Sequence, residues 1–524
     1  MCVTRSCLPC RGAKAKCDLV RPSCGRCTQR GLICSGFPED ADFVFLDENE
    51  TAQRNSQRAR KEWRRSPGAG TSSSLTHVQQ GQQSPAAANE VDEFLRQQYS
   101  WLNERAYTQV SEPLKRDLEA RAVERFFINW TLHPSNHGVS PGHMHDLPML
   151  FLGAPPDSIL WHAVRAVAFA DMRNESSGDS PFYVKSRLHY GAALNRTRMI
   201  LHDQQDLSND RVLSAILLID NFELMYLMRT DPVGPHSEAI KHILHSRGDG
   251  QLYDSAQFSL WRLAHHRLLS RQVLLREQPD PEQIAWVSKL NVDRPDLHIC
   301  ADVLHMNILS AAAKKLTQTI DDTEPIRGGK LEQAKQMTQE MLNLIETIES
   351  WTLEMTGVWK PKIEDTQSIA KPQDVGESPN FPIPHFPCPR FLRYQDIWLA
   401  YMWNFYAASQ IVLRESLTDV VTYAATLLNQ EEPDENGMSV IQKQRGRVDM
   451  LSAAIIRSFP MLLGFTHRHE RPGGPRVLQQ GKMAGRLFSL FSMWVVQKAQ
   501  FTSSQHKQTA SEVISWINFR HGLH

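Results

Sequence analysis

Six cysteines near the start of the chain have a spacing that suits a metal centre. They follow the pattern C-x2-C-x6-C, then six intervening residues, then the same pattern again, at Cys7, Cys10, Cys17, Cys24, Cys27 and Cys34. The pattern is an internal duplication of one half-module. Thiolates are preferred zinc ligands, and a C-x2-C pair can place two sulfurs on one ion. The spacing therefore predicts a zinc-binding segment.

The number of sulfurs indicates two zinc ions that share ligands. Two tetrahedral ions need eight metal–sulfur bonds, and six thiolates supply eight only if two of them bridge both ions. Equivalent positions in the two halves, such as Cys7 and Cys24, are the natural bridges. We therefore expect Zn²⁺ as the cofactor, with two ions per cluster and all six cysteines as ligands.

Two other arrangements compete with a shared-ligand cluster. Small secreted domains use dense cysteines for disulfides, but residues 1–10 lack the charged and apolar regions of a secretory signal peptide. A single-zinc site with two spare cysteines would not require two identical halves. Cys2 lies outside the duplicated pattern and has no equivalent. Two zinc ions with shared thiolates account for the pattern best.

Positive charge is concentrated around these cysteines. Residues 1–34 contain one acid, Asp18, whereas the whole chain has 58 basic and 58 acidic residues. The basic residues of this segment are Arg5, Arg11, Lys14, Lys16, Arg21, Arg26 and Arg30. Such a local excess suits a DNA backbone, because neutralised phosphates provide salt-dependent affinity.

Three of the basic residues lie between the second and third cysteines, in a segment long enough for one or two helical turns. Arg11 and Lys14 share a helical face because they are three residues apart, and Lys16 follows. A lysine on such a helix can bind the O6 and N7 acceptors of guanine in the major groove. We therefore expect DNA contacts from Lys14, Arg11 and Lys16. One alternative is that these charges are simply a solvated face. Another is a zinc-dependent adaptor whose cluster recruits a protein partner rather than DNA.

The residues between and beside the cysteines are also similar to those of a known family. Residues Cys7–Asp18 read CLPCRGAKAKCD, and the second half contains PSCGRC at Pro22–Cys27 and GLIC at Gly31–Cys34. These stretches resemble the two halves of the fungal zinc binuclear cluster. The resemblance implies a fold with two short helices around two zinc ions.

The same resemblance has implications for function. It implies recognition of GC-rich, CGG-like triplets in double-stranded DNA by the lysine at position 14, with Arg11 and Lys16 holding phosphates. Ala13 departs from the family, because many members have a basic residue there. The implied role is a nuclear transcription factor that acts on genes transcribed by RNA polymerase II.

Composition divides the chain into three parts. We predict the DNA-binding cluster at residues 1–40 and a linker at residues 41–90, in which an acidic stretch, a basic run and a Ser/Gly/Gln-rich segment follow one another. Low-complexity sequence of this kind lacks the apolar content for a core. The basic run at 54–65 suits a nuclear localisation signal, a phosphate contact or an exposed helix. Residues 91–524 form the third part.

Apolar residues of the third part recur at helical spacing, which predicts a large all-α domain of stacked helix pairs. Val123–Trp130 forms one such face, and Val212–Met225 forms another, with capping candidates at Ser208–Asp210. Further helices are predicted near 160–171, 256–276, 301–318, 330–353, 391–429, 440–464 and 476–498. The alternating pattern typical of strands is scarce.

Two motifs in this part resemble a second family. HILHSRG at His242–Gly248 and the aromatic stretch Ser515–Gly522 resemble the LL-x2-RG turn and the closing helix of the fungal-specific transcription factor regulatory domain. The resemblance implies control of the DNA-binding end and binding of small molecules or co-regulators. The branch of the zinc-cluster family that the chain resembles includes regulators of metabolic and secondary-metabolite genes, which implies such a target set. An apolar stripe at 91–102 covers fewer than two heptads, so a monomer and a homodimer both stay open.

Catalytic and membrane signatures are scarce. The chain has no G-x4-G-K-[ST] phosphate loop and no G-x-S-x-G nucleophile motif. Cys300 and Cys388 are isolated, which favours buried or loop thiols over nucleophiles. No apolar run reaches the roughly 18 residues of a membrane span. We therefore expect neither an enzyme nor a membrane protein; a catalytic site in the helical part would need a closed pocket with converging polar residues.

Overall fold

The computed structural model describes two separate parts of the chain. The first comprises residues 7, 9–10, 13, 16–18, 20, 23–32 and 34, and the second comprises residues 113–521 except 135–139, 174–180, 204–205, 228–233, 319–323, 366–385, 466, 470–475 and 479–481. The chain forms two compact units, residues 1–99 and residues 100–524. The predicted linker at 41–90 and the apolar stripe at 91–102 lie outside the described residues, so both stay predictions.

The duplicated cysteine spacing has a counterpart in the backbone. In the second half, helix α1 spans Gly25–Gln29, and the Arg30 amide donates to the carbonyl of Arg26 at 3.2 Å. At the equivalent place in the first half, the Ala13 amide donates to the carbonyl of Pro9 at 3.1 Å. Each half therefore contains the same helical hydrogen bond after its C-x2-C pair.

Beyond the cysteine-rich segment the described chain is 76% helical, which confirms the predicted mostly helical architecture. The helices are α2 (Pro113–Trp130), α3 (Leu147–Leu152), α4 (Ile159–Arg173), α5 (Pro181–Asp203), α6 (Asp210–Tyr226), α7 (Ser237–Arg247), α8 (Ser255–Leu275), α9 (Pro281–Val287), α10 (Pro295–Thr317), α11 (Glu324–Glu354), α12 (Ile397–Leu427), α13 (Glu435–Leu462), α14 (Lys482–Lys498) and α15 (Ser504–His521). Short 3₁₀ turns occur at Gly248–Leu252 and Gly357–Trp359.

Two small antiparallel hairpins interrupt the helices and correct two predicted boundaries. Strand β1 (Lys362–Asp365) pairs with β2 (Arg390–Arg393), so the helix predicted from 391 begins only at Ile397. Strand β3 (His467–His469) pairs with β4 (Arg476–Leu478), so the helix predicted from 476 begins at Lys482. Each strand is only three or four residues long, and helical periodicity does not reveal its pairing with a partner strand.

Helix α12 lies at the centre of the core. It packs against α10, α11, α13 and α14, and the side chains of Trp398 and Phe405 are almost fully buried. The Arg414 guanidinium is also buried and donates to Glu349 of α11 at 2.8 Å and to Gln444 of α13. The α12 helix therefore joins its neighbours through both apolar packing and a paired buried charge.

Helix α6 begins with one of the capping residues that the sequence predicts. The Asn209 side chain accepts from the Arg211 amide at 3.0 Å and caps α6, as predicted from Ser208–Asp210. The HILHSRG motif is the end of helix α7, and Gly248 follows it with φ of +60°. The Arg247 guanidinium, 1% exposed, lies 3.0 Å from Asp210. The ion pair between Arg247 and Asp210 therefore connects the end of α7 to the start of α6.

Candidate metal centre

The thiols of the cysteine-rich segment lie at distances typical of sulfurs that share a metal. The Sγ of Cys7 lies 3.5 Å from that of Cys24 and 3.8 Å from that of Cys27, and the Sγ atoms of Cys10 and Cys24 are 3.6 Å apart. A disulfide would require about 2.05 Å. Two sulfurs on a tetrahedral zinc, each about 2.3 Å from the ion, lie about 3.8 Å apart. The spacing therefore fits metal coordination and excludes disulfides among these pairs.

The sulfurs form two groups of four. One group contains Cys7, Cys10, Cys17 and Cys24, and the other contains Cys7, Cys24, Cys27 and Cys34; within each, all sulfurs lie within 4.8 Å of one another. Cys7 and Cys24 belong to both groups. The two groups therefore offer two ions four thiols each, with two thiols in common, as the count of bonds predicts.

Burial gives these thiols little contact with water. Cys7, Cys10, Cys24 and Cys27 are 0% exposed, and Cys17 and Cys34 are partly buried. Burial raises the pKa of Cys7 and that of Cys27, because a buried thiolate loses its stabilising contact with water. Because thiolates bind zinc, the ion itself must supply the positive charge that favours deprotonation.

Arg26, in sequence only one of seven basic residues of this segment, contacts the cysteine cluster directly. Its Nη1 lies 3.6 Å from the Sγ of Cys10, which belongs to the other half of the duplication. This contact lowers the pKa of the Cys10 thiol to about 7. The guanidinium is therefore placed to offset the negative charge of the thiolates.

Asp18, the one acid of this segment, closes the loop between the halves. Its carboxylate oxygens accept the Gly25 amide at 2.9 and 3.1 Å, at the start of α1. A Cβ added to Gly25 would lie 2.4 Å from Asp18 Oδ2. A glycine at position 25 is thus needed for this close approach.

The predicted DNA-contact residues are only partly described. Lys16 is exposed to solvent beside Cys17. Arg11 and Lys14 lie outside the described residues. The contacts of Lys14, Arg11 and Lys16 with DNA therefore stay predictions.

The family comparison agrees with this geometry. Residues 5–42 match the fungal Zn(2)-Cys(6) binuclear cluster domain. The segment is therefore a zinc-binding domain of a family of DNA-binding transcription factors, which confirms zinc as the cofactor. No curated protein and no solved structure is significantly similar to the chain.

Cys300 and His265 contact each other in the helical region, but this contact does not produce a thiolate nucleophile. Cys300 Sγ lies 3.3 Å from His265 Nδ1, and both side chains are buried. Burial raises the pKa of Cys300 to about 12 and lowers that of His265 to about 3, so both groups are neutral near pH 7. Among the described helices, none combines the length and apolar character needed to cross a membrane.

Proposed function

We propose that this protein is a nuclear, sequence-specific transcription factor that binds GC-rich, CGG-like triplets and regulates genes transcribed by RNA polymerase II. The observation that carries the proposal is the pair of four-thiol groups with Cys7 and Cys24 in common, within a segment that matches a DNA-binding domain. Metabolic or secondary-metabolite genes are the proposed targets, on the basis of the resemblances in sequence.

In this proposal all six cysteines are zinc ligands, and Cys7 and Cys24 bridge the two ions. Two Zn²⁺ with six thiolates leave a net charge of −2. Arg26 offsets part of that charge at Cys10. Lys14 binds guanine, and Arg11 and Lys16 hold the phosphates on either side of it.

The helical region, in this proposal, regulates the DNA-binding end and contacts co-regulators. The length and burial of its core support a separate folded regulatory part. A homodimer or a monomer is compatible with the resemblances, and light scattering of the purified chain with and without a two-triplet duplex distinguishes them.

A zinc-dependent adaptor without base readout is the alternative function. Fluorescence anisotropy with a CGG-containing duplex and a scrambled duplex separates the two. The proposal predicts that Lys14→Gln reduces the preference for CGG, and that Lys335→Gln, at an exposed position of helix α11, leaves it unchanged. Equal affinity of the unmodified chain for both duplexes, without loss in the Lys14 variant, would favour the adaptor.

A further inference from the structure

The helical region contains a small aromatic cavity away from the cysteines. It lies where α6, α8, α12 and α14 meet, beside His143 and Met144. Five of its lining side chains are Trp398, Tyr401, Phe488, Phe491 and Trp494. The volume of the cavity is about 80 Å³. This is small beside drug-sized pockets of about 300–1,000 Å³, so the cavity favours a one-ring ligand.

Two buried histidines place unused polar atoms at this cavity. His143 is 4% exposed and His266 is 3% exposed, and both line the cavity. Neither ring nitrogen of His143 has a hydrogen-bond partner among the described residues, and His266 Nε2 has none either. His266 Nδ1 lies 3.4 Å from the Tyr401 hydroxyl. Buried polar groups are normally paired, so these nitrogens point to an occupant that supplies the missing partner.

The described residues that line the cavity present no unpaired charge to it, which favours a neutral occupant. Burial lowers the pKa of His143 to about 3 and that of His266 well below its usual value, so each ring offers one donor and one acceptor. Arg267, which lines the cavity, donates to Asp220. The nearby Arg262 guanidinium lies over the Trp398 ring, 5.2 Å from its centroid.

We propose that this cavity binds a small aromatic molecule that carries a phenolic hydroxyl. The ring of the ligand packs among the aromatic side chains, including the stacked pair Tyr401 and Phe488. Its hydroxyl both donates and accepts, which matches the neutral imidazoles of His143 and His266. The site belongs to the helical region and does not depend on how the cysteine-rich segment binds DNA.

Calorimetric titration of the full chain with three one-ring probes tests this proposal. We expect 4-ethylphenol to bind saturably at one site, ethylbenzene to bind about tenfold more weakly for want of the hydrogen bond, and 4-ethylbenzoate not to bind. Equal affinity for 4-ethylphenol and ethylbenzene would overturn the role of the histidines. A preference for 4-ethylbenzoate would indicate an anion site near Arg262 and would contradict the proposal. The absence of saturable binding by any of the three probes would indicate a cavity filled by water, which also contradicts it.

Variants locate the binding. His266→Phe keeps the stacked ring but removes the nitrogens, and we expect it to abolish the preference for 4-ethylphenol over ethylbenzene. His305→Phe makes the same change on the exposed face of α10 and serves as its control. Unchanged selectivity in the folded His266 variant would contradict the proposed contact.

A second variant fills the cavity and keeps both histidine side chains, although it removes the hydrogen bond from the Ser270 hydroxyl to the His266 carbonyl. Ser270 lines it, and we expect Ser270→Leu to weaken binding of both 4-ethylphenol and ethylbenzene at least about tenfold by occupying their space. Ser255→Leu, in the exposed first turn of the same helix α8, should leave both affinities unchanged. Circular dichroism establishes that each variant is folded, and full binding by a folded Ser270 variant would place the ligand elsewhere.

Discussion

The sulfurs of Cys7 and Cys24 lie 3.5 Å apart, and each belongs to both four-thiol groups. These two residues occupy the same position in the two halves of the duplication. A change at either one therefore affects both groups, whereas a change at Cys17 or Cys34 affects one.

This difference predicts two classes of cysteine variant. Cys24→Ser should weaken retention of both zinc ions, because each group is left with three thiols. Cys17→Ser should leave one group complete and retain about one ion per chain. Zinc per chain, measured by elemental analysis after dialysis against a chelator, distinguishes the two.

Cys388→Ser is the control, because this thiol lies in the helical region outside both groups. It should retain as much zinc as the unmodified chain. Equal zinc loss in the Cys17 and Cys24 variants would contradict the shared-thiol arrangement.

Gly25→Ala should impair the cluster by a steric route. The added Cβ meets Asp18 Oδ2 at 2.4 Å, so the hydrogen bonds between Asp18 and the start of α1 must lengthen. We expect faster zinc transfer to a colorimetric chelator. Gly446→Ala is the matched control, since nothing lies within 4 Å of its added Cβ in helix α13; it should leave transfer unchanged and stabilise the helical region by up to about 1 kcal/mol.

Arg26 and Lys16 should separate zinc retention from DNA affinity. Arg26 contacts the Cys10 thiol, so Arg26→Gln should accelerate zinc loss. Lys16 is exposed, so Lys16→Gln should reduce DNA affinity and leave zinc retention unchanged. The slope of log affinity against log salt should become less steep by about 1. Anisotropy over a salt series and the chelator assay measure the two effects. An unchanged salt slope in the Lys16 variant would count against its phosphate contact.

Asp171 should make the stability of the helical region depend on pH. Burial raises the pKa of this carboxyl to about 6, although the Tyr226 hydroxyl and Trp130 Nε1 donate to it. The folded chain therefore holds a proton that the unfolded chain releases above about pH 4. This contribution to the free energy of unfolding is fully present below about pH 4 and is lost as pH rises through 6, by up to roughly 3 kcal/mol.

Urea unfolding followed by tryptophan fluorescence at several pH values between 4 and 7 measures this effect. Asp171→Asn should flatten the decline between pH 4 and 6, because its side chain does not titrate. Glu332→Gln, an exposed carboxyl on α11, should leave the decline as it is. A decline of the same slope in the Asp171 variant would exclude this carboxyl as its source.

The parts that the sequence predicts well depend on local spacing. The six-cysteine repeat is regular enough to indicate shared sulfurs at Cys7 and Cys24, and their geometry agrees. Helix α6 was predictable from its apolar run and from Asn209 as its cap. Both features can be predicted because each depends on a regular spacing of residues within one short segment.

Other features depend on contacts between distant segments. The sequence does not predict helix α5, because its buried residues include the small or polar Ser186, Ala193 and Thr197 and show little apolar periodicity. The β1–β2 hairpin joins residues 362–365 to 390–393. The contact of Arg26 with Cys10 joins the two halves of the cluster. It forms in the folded chain, and the spacing of the residues in the sequence does not reveal it.

Native mass spectrometry of the full chain tests the central claim most directly. We expect a species that carries two zinc ions and loses both when a chelator is added. A saturated species with one zinc ion, or six cysteines joined in three disulfides, would contradict a cluster in which Cys7 and Cys24 bridge two ions.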